Sequence, residues 1–144
     1  MEAYLLLLLN FSVTLFMTGL IWFVQLVHYP LFEKVQTDFV TYEQNHTRYT
    51  SWLTAPVMLT ELAATLALWY FWPSYYVLNM AATVLIILIW ISTFFIQIPL
   101  HHRLCDAFHP DNCRKLVKTN WLRTVAWTLK SLVMATYLVE IAFL

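Results

Sequence analysis

The stretch YVLNMAATVLIILIWISTFFIQIPL, residues 76–100, carries no charged side chain and decides the fold class. A helix needs about 20 apolar residues to cross the hydrocarbon core of a bilayer. A run this long, with Leu and Ile repeated throughout, has no reading as part of a soluble core. Three further segments qualify: about Tyr4 to Val27, about Trp52 to Trp72 and about Trp121 to Phe143. Of 144 residues only 11% are charged and 61% are hydrophobic, against about 25% charged in an average soluble domain. The expected architecture is a single all-α domain, an integral membrane four-helix bundle with lipid as its solvent. Eight basic and eight acidic residues balance, so no basic footprint for nucleic acid exists. One glycine excludes glycine-rich phosphate loops and GxxxG packing. Neither Gly-x-Ser-x-Gly nor His-Glu-x-x-His occurs, which removes support for serine hydrolysis and zincin chemistry.

The distribution of bases predicts the topology. Lys34 and Arg48 lie in the first connection, and Arg103, Arg114, Lys115 and Lys118 in the third. The second connection, around Pro73-Ser74, has none, and neither tail has any. Four spans put both termini on one side, so both termini are expected on the non-cytoplasmic side. The first span reads as a retained helix, because Met1-Glu2-Ala3 lacks the basic leader of a signal peptide. In the first connection Val35, Phe39, Tyr42, His46, Tyr49 and Leu53 recur at helical spacing. Helix two is therefore expected to begin near Thr37 or Asp38, with a kink at Pro56. Asp111 reads as the N-cap of helix four. Trp52, Trp69, Trp72, Tyr75, Tyr76 and Trp121 fall near span ends, as interfacial belts do.

Ionisable groups inside spans are costly and face the bundle interior. Glu61 and Lys130 each lie about nine residues into their span from the same face, about 14 Å deep. Equal depth points to a buried Glu61–Lys130 ion pair. A proton-coupled pair in a transporter is the competing use, but no inverted internal repeat supports it. Helix four carries a polar seam, Asn120, Arg123, Trp127, Lys130, Met134 and Tyr137, at spacings of three and four. That seam should face inward.

A second constellation gathers at the cytoplasmic rim. His28 closes span one, and Glu43 and His46 stand three apart on the extension of helix two. Glu-x-x-His on one helix face is the arrangement of carboxylate-bridged metal bundles. His101 closes span three one turn after Gln97, on a face continuing through Trp90. His102 continues the apolar face of Ile98, Phe95 and Ile91 and should point outward. His28, Glu43, His46 and His101 form a candidate ligand set for zinc, iron or copper. Heme held by two of the histidines is a further option. Gln97, Asn120 and Trp127, with Glu43, are the candidate cofactor-binding residues, and Arg123 is placed to stabilise a developing oxyanion. His101, Cys105, His109 and Cys113 are each four apart, but Pro110 breaks that helix. The two thiols therefore read as structural or inert.

The segment Gly19-Leu20-Ile21-Trp22 through Val27-His28-Tyr29-Pro30 resembles the opening helix of the anthrone oxygenase-like family of small four-helix membrane proteins. That resemblance, confined to the first helix, implies a four-span bundle and oxygen-dependent oxidation of polycyclic phenols, with His28 as the family's histidine before proline. Two functions are expected from the chain as a whole. One is a membrane-embedded, metal-assisted oxidoreductase, in which a hydrophobic or quinone-like substrate enters from lipid and meets His28, His46, His101 and Arg123. The other is an accessory subunit of a larger membrane complex, packing pigment, heme or lipid. Either use is compatible with a homo-oligomer.

Overall fold

A computed structural model describes residues 1–35 and 37–142. It consists of four long helices: α1 Glu2–Lys34, α2 Phe39–Phe71, α3 Tyr76–Asp106 and α4 Pro110–Ala142. Each is long and apolar enough to cross a membrane. Phe143, the expected end of the fourth span, lies outside the described residues. The helices overrun the apolar spans at one end, because hydropathy registers only their apolar part. There α2 starts at Phe39 and α4 at Pro110, each well before its apolar segment begins.

Local chemistry sets the ends. Asp38 adopts φ 53° before α2, a left-handed conformation that Asp tolerates better than most residues. The expected cap at Asp111 shifts by two positions. Helix α4 begins with Pro110, whose missing N–H costs nothing at a first helical position. Asn112 and Cys113 donate their backbone N–H to the His109 carbonyl. Asp111 sits instead in the first turn, where its charge complements the helix dipole. Pro56 lies within α2, which continues through it as one helix.

Two of the helices change pitch on the way to the histidine-bearing end. Helix α1 contains a π turn over Val24–His28 and α3 another over Thr93–Gln97. Two residues beyond each stands a proline, Pro30 and Pro99. Proline removes one backbone donor from the helical ladder and crowds the carbonyl four residues back. A wide turn absorbs that misfit, and π turns of this kind cluster at functional sites.

The interior is layered. At the end bearing the α2–α3 turn, Leu7, Leu68, Ala82, Met134 and Tyr137 form an apolar plug. Asn79 ties the turn down, donating to the Trp72 carbonyl at 2.9 Å and accepting from the Tyr137 hydroxyl at 2.9 Å. Next comes a polar belt. Lys130 Nζ lies 3.0 Å from Glu61 Oε1 and donates to Asn10 Oδ1 at 3.0 Å and Thr14 Oγ1 at 2.9 Å. Thr14 donates to Glu61 Oε1, Trp127 Nε1 donates to Glu61 Oε2, and Asn10 donates to Thr65. All of these groups are fully buried. A larger apolar cluster comes next, from Met17 and Ile21 to Leu104 and Leu116, and the histidines lie at its far side.

The outward face is apolar, with Phe95 and Val77 among the most exposed side chains. This inverts the usual pattern. The helical spacing of Phe39, Tyr42, His46, Tyr49 and Leu53 predicts a helix, and α2 is helical from Phe39 onward, but these residues do not share its inward face, since Tyr49 and Leu53 are exposed. The inward face runs Phe39, Glu43, His46, Thr50, Thr54, Met58, Glu61. Polar groups that lipid would not hydrate take the interior, and aliphatic ones are displaced outward.

Breaking a buried pair leaves an unanswered charge, at a cost of about 3–5 kcal/mol. Glu61→Gln and Lys130→Met should each lower the unfolding temperature sharply in detergent. The double variant should recover part of that loss. Single variants melting like the parent would show that the belt is not a stabilising unit.

Candidate functional site

Three helices bring their imidazoles together, as α1 supplies His28, α2 His46 and α3 His101. The His28 and His46 ring centroids are 4.5 Å apart and those of His46 and His101 5.4 Å. His28 Nε2 and His46 Nδ1 share a hydrogen bond of 2.9 Å, and the Thr50 hydroxyl lies 3.2 Å from the same Nδ1. His102 is exposed while His101 is largely covered, as their two helix faces require.

His101 is the hub. Its Nδ1 lies 2.5 Å from Glu43 Oε1 and its Nε2 2.9 Å from the Tyr29 hydroxyl. The Tyr29 oxygen also accepts from Arg123 Nη2 at 3.4 Å. With Nδ1 donating to the carboxylate, Nε2 is an acceptor and Tyr29 the donor. A continuous chain then runs from Arg123 through Tyr29 and His101 to Glu43. A carboxylate behind one imidazole nitrogen is the device that fixes tautomer and ring orientation in metal sites.

Glu43, His46 and His101 offer ligand atoms that all lie within 4.8 Å of one another. A single ion held by all three would need bonds of about 2.0–2.2 Å to each. Glu43 Oε2 is buried and has no hydrogen-bond partner, the condition of an acceptor awaiting a ligand. Two imidazoles and one carboxylate form the donor set of non-heme iron oxygenases. His28 is not a member of this group; it holds His46 through Nδ1 instead of adding a ligand. The His28–His46 and His46–His101 rings stand too close, at 4.5 and 5.4 Å between centroids, to take a porphyrin between either pair without moving apart.

Of the expected cofactor residues, Gln97 and Trp127 line a cavity beside the cluster, and Glu43 and Asn120 do not. Asn120 positions Arg123, accepting from Nε at 3.0 Å and Nη2 at 2.6 Å. It is itself held by Gln25 Oε1 at 2.9 Å. Trp127 links the two levels of the bundle: its indole donates to Glu61, and the Arg123 guanidinium lies 6.0 Å from its ring centroid. Gln97 donates to the Thr119 hydroxyl, and its Oε1 is unpartnered. His109 is exposed, Cys113 is core, and Cys105 lies beside the Thr47 hydroxyl, so the spaced histidines and cysteines do not assemble.

The cavity has a volume of about 500 Å³ and is bounded by all four helices. Its walls include Met17, Ile21, Met58 and Trp90, and its polar end is made by Tyr29, His46, His101 and Arg123. Exposed residues from α2 (Ser51, Ala55, Leu59) and α3 (Phe94) take part, so it opens sideways between these helices. The gap is closed at the turn end by Trp69 Nε1 donating to Thr83. At the histidine end Gln44 Nε2 closes it by donating to the Cys105 carbonyl.

Tyr29 joins the cluster through His101 and Arg123, although the sequence does not mark it. Its place between His28 and Pro30 is visible there, but the π turn that sets its direction is not. No family model, curated protein or solved structure matches the chain.

Thr54 faces the open cavity, whereas Ala126 is packed in the core. Thr54→Phe should therefore shift the unfolding temperature little. Ala126→Phe should cost about 1–3 kcal/mol through overpacking. Equal destabilisation by both would mean the cavity is not open space.

Proposed function

We propose that the chain is a multi-pass membrane oxidoreductase, dependent on a non-heme transition metal, that acts on a hydrophobic substrate entering from the bilayer. The observation that carries this reading is the Glu43, His46 and His101 donor set at the end of an apolar cavity that opens sideways. Bound there, iron would supply one-electron chemistry with dioxygen as the acceptor. Glu43 holds the His101 ring through Nδ1, and His28 does the same for His46. Arg123, fixed by Asn120, presents a cation to an anionic group of the substrate, in a wall whose low dielectric strengthens the attraction. The apolar lining keeps bulk water from the reacting atoms. The likeness of the first helix to the anthrone oxygenase-like family points to the same class of reaction.

Exposed apolar faces on every helix support a location within the membrane. Six exposed bases, Lys34, Arg48, Arg103, Arg114, Lys115 and Lys118, lie at the histidine end. They support a cytoplasmic-facing site with both termini on the opposite side.

Metal analysis of protein purified from iron-supplemented cells should find about one iron per chain. His46→Ala and His101→Ala should abolish binding. Glu43→Ala, which removes the third donor, should abolish it as well. His28→Ala should keep the metal. Mass spectrometry of apolar extracts should find a product present with the parent protein and absent with His101→Ala. That product should differ from its precursor by two hydrogens lost or one oxygen gained. No stoichiometric metal, and identical extracts from both strains, would overturn the reading.

A further inference from the structure

Two cations are buried in this bundle, and they are treated differently. Lys130 faces a carboxylate at 3.0 Å. Arg123 is 8% exposed and, among the described residues, forms no ion pair with any carboxylate. Its hydrogen-bond partners are neutral: the Asn120 carbonyl oxygen and the Tyr29 hydroxyl. Glu43 is three hydrogen bonds away, beyond Tyr29 and His101. A guanidinium cannot shed its proton at any accessible pH. An uncompensated charge out of water is costly unless something pairs with it.

This cation forms part of the wall of the cavity. Trp90 Nε1, from another cavity-lining residue, is a buried donor without a partner. On α2 the lining runs from His46 to Leu59, about 20 Å of helix. That wall carries hydroxyls from Thr47 to Thr54 and is apolar at Ala55, Met58 and Leu59, while Met17, Leu20, Ile21 and Val24 of α1 make the facing wall apolar, so the cavity is long and has an apolar side. Its volume is within the range of about 300–1,000 Å³ usual for small-molecule sites.

From this geometry we infer that the cavity binds a single-chain lipid with a carboxylate head, the head seated against Arg123 and the chain lying along α2 toward Met58 and Leu59. A carboxylate is chosen because it is ionised throughout the physiological range, as the permanent charge of Arg123 requires, whereas a phenol of ordinary acidity is not. A charge-assisted hydrogen bond from guanidinium to carboxylate is among the strongest a protein makes. The inference rests on the proposed function in that it names the substrate class of the same cavity. Its test needs no metal and no turnover.

The probe is a fluorescent conjugated fatty acid, bound to chelator-treated protein in phosphatidylcholine nanodiscs. Oleate should displace it at a membrane mole fraction at least about tenfold lower than oleyl alcohol or methyl oleate, the ratio a single charge-assisted hydrogen bond supports. Arg123→Gln should bring that ratio to one, and Arg123→Lys should keep part of it. The comparison of ligands on the parent protein needs no variant, so misfolding of a variant does not affect it. Equal displacement by oleate and its uncharged analogues would overturn the inference, as would an undiminished ratio in folded Arg123→Gln. Displacement by an alkylphenol as readily as by oleate would also contradict it. A bundle that binds oleate selectively but holds no metal would refute the proposed oxidation and leave the carboxylate site standing.

Discussion

The constraint that organises this bundle is that a polar or charged group inside it must be answered by another side chain. Glu43, Glu61 and Lys130 are fully buried in the bundle, so water is not at hand to do it. Glu61 and Lys130 satisfy each other, and Asn10, Thr14 and Trp127 take up their remaining hydrogen-bonding capacity. The same rule explains the inverted faces of α2, where Glu43, His46, Thr50 and Glu61 look inward and Tyr49 and Leu53 outward. It also gives meaning to the places where the rule fails. Glu43 Oε2, Gln97 Oε1 and Trp90 Nε1 are buried without partners, and Arg123 has no counter-ion among the described residues. Gln97, Trp90 and Arg123 border the cavity, and Glu43 stands behind His101 at its polar end. A bundle built only for stability would have closed these valences or done without the groups.

The site and the belt are separate levels joined by one residue. Trp127 donates to Glu61 on one side and lies against Arg123 on the other. The polar belt thereby fixes the indole, and the indole forms part of the cavity wall next to the cation. On the other side of Arg123, Tyr29 passes the connection to His101 and Glu43. Side chains from all four helices thus share one hydrogen-bonded system, and movement of any helix at the histidine end would be felt at His101.

Much of this is legible in the chain. Hydropathy locates four spans, and the three-and-four spacing of Asn120, Arg123, Trp127 and Lys130 marks the inner face of α4. Equal depth pairs Glu61 with Lys130, and the companions of each ring separate His101 from His102. The rest is hidden for physical reasons. An apolar stripe identifies the inward face only when the outside is water, so the periodicity that marks α2 as a helix does not tell which of its faces is buried. The π turns before Pro30 and Pro99 rotate the residues beyond them, which conceals the inward aim of Tyr29. Asn120 looks like a ligand-binding group because only the folded arrangement shows its oxygen taken twice by Arg123.

X-ray absorption at the iron edge of the iron-loaded protein tests the central claim most directly, since it reads the donor atoms themselves. A first shell of nitrogen and oxygen, with the outer-shell scattering of two imidazoles, is the result this account predicts for Glu43, His46 and His101. A sulfur-containing shell, or one without imidazole scattering, would contradict it.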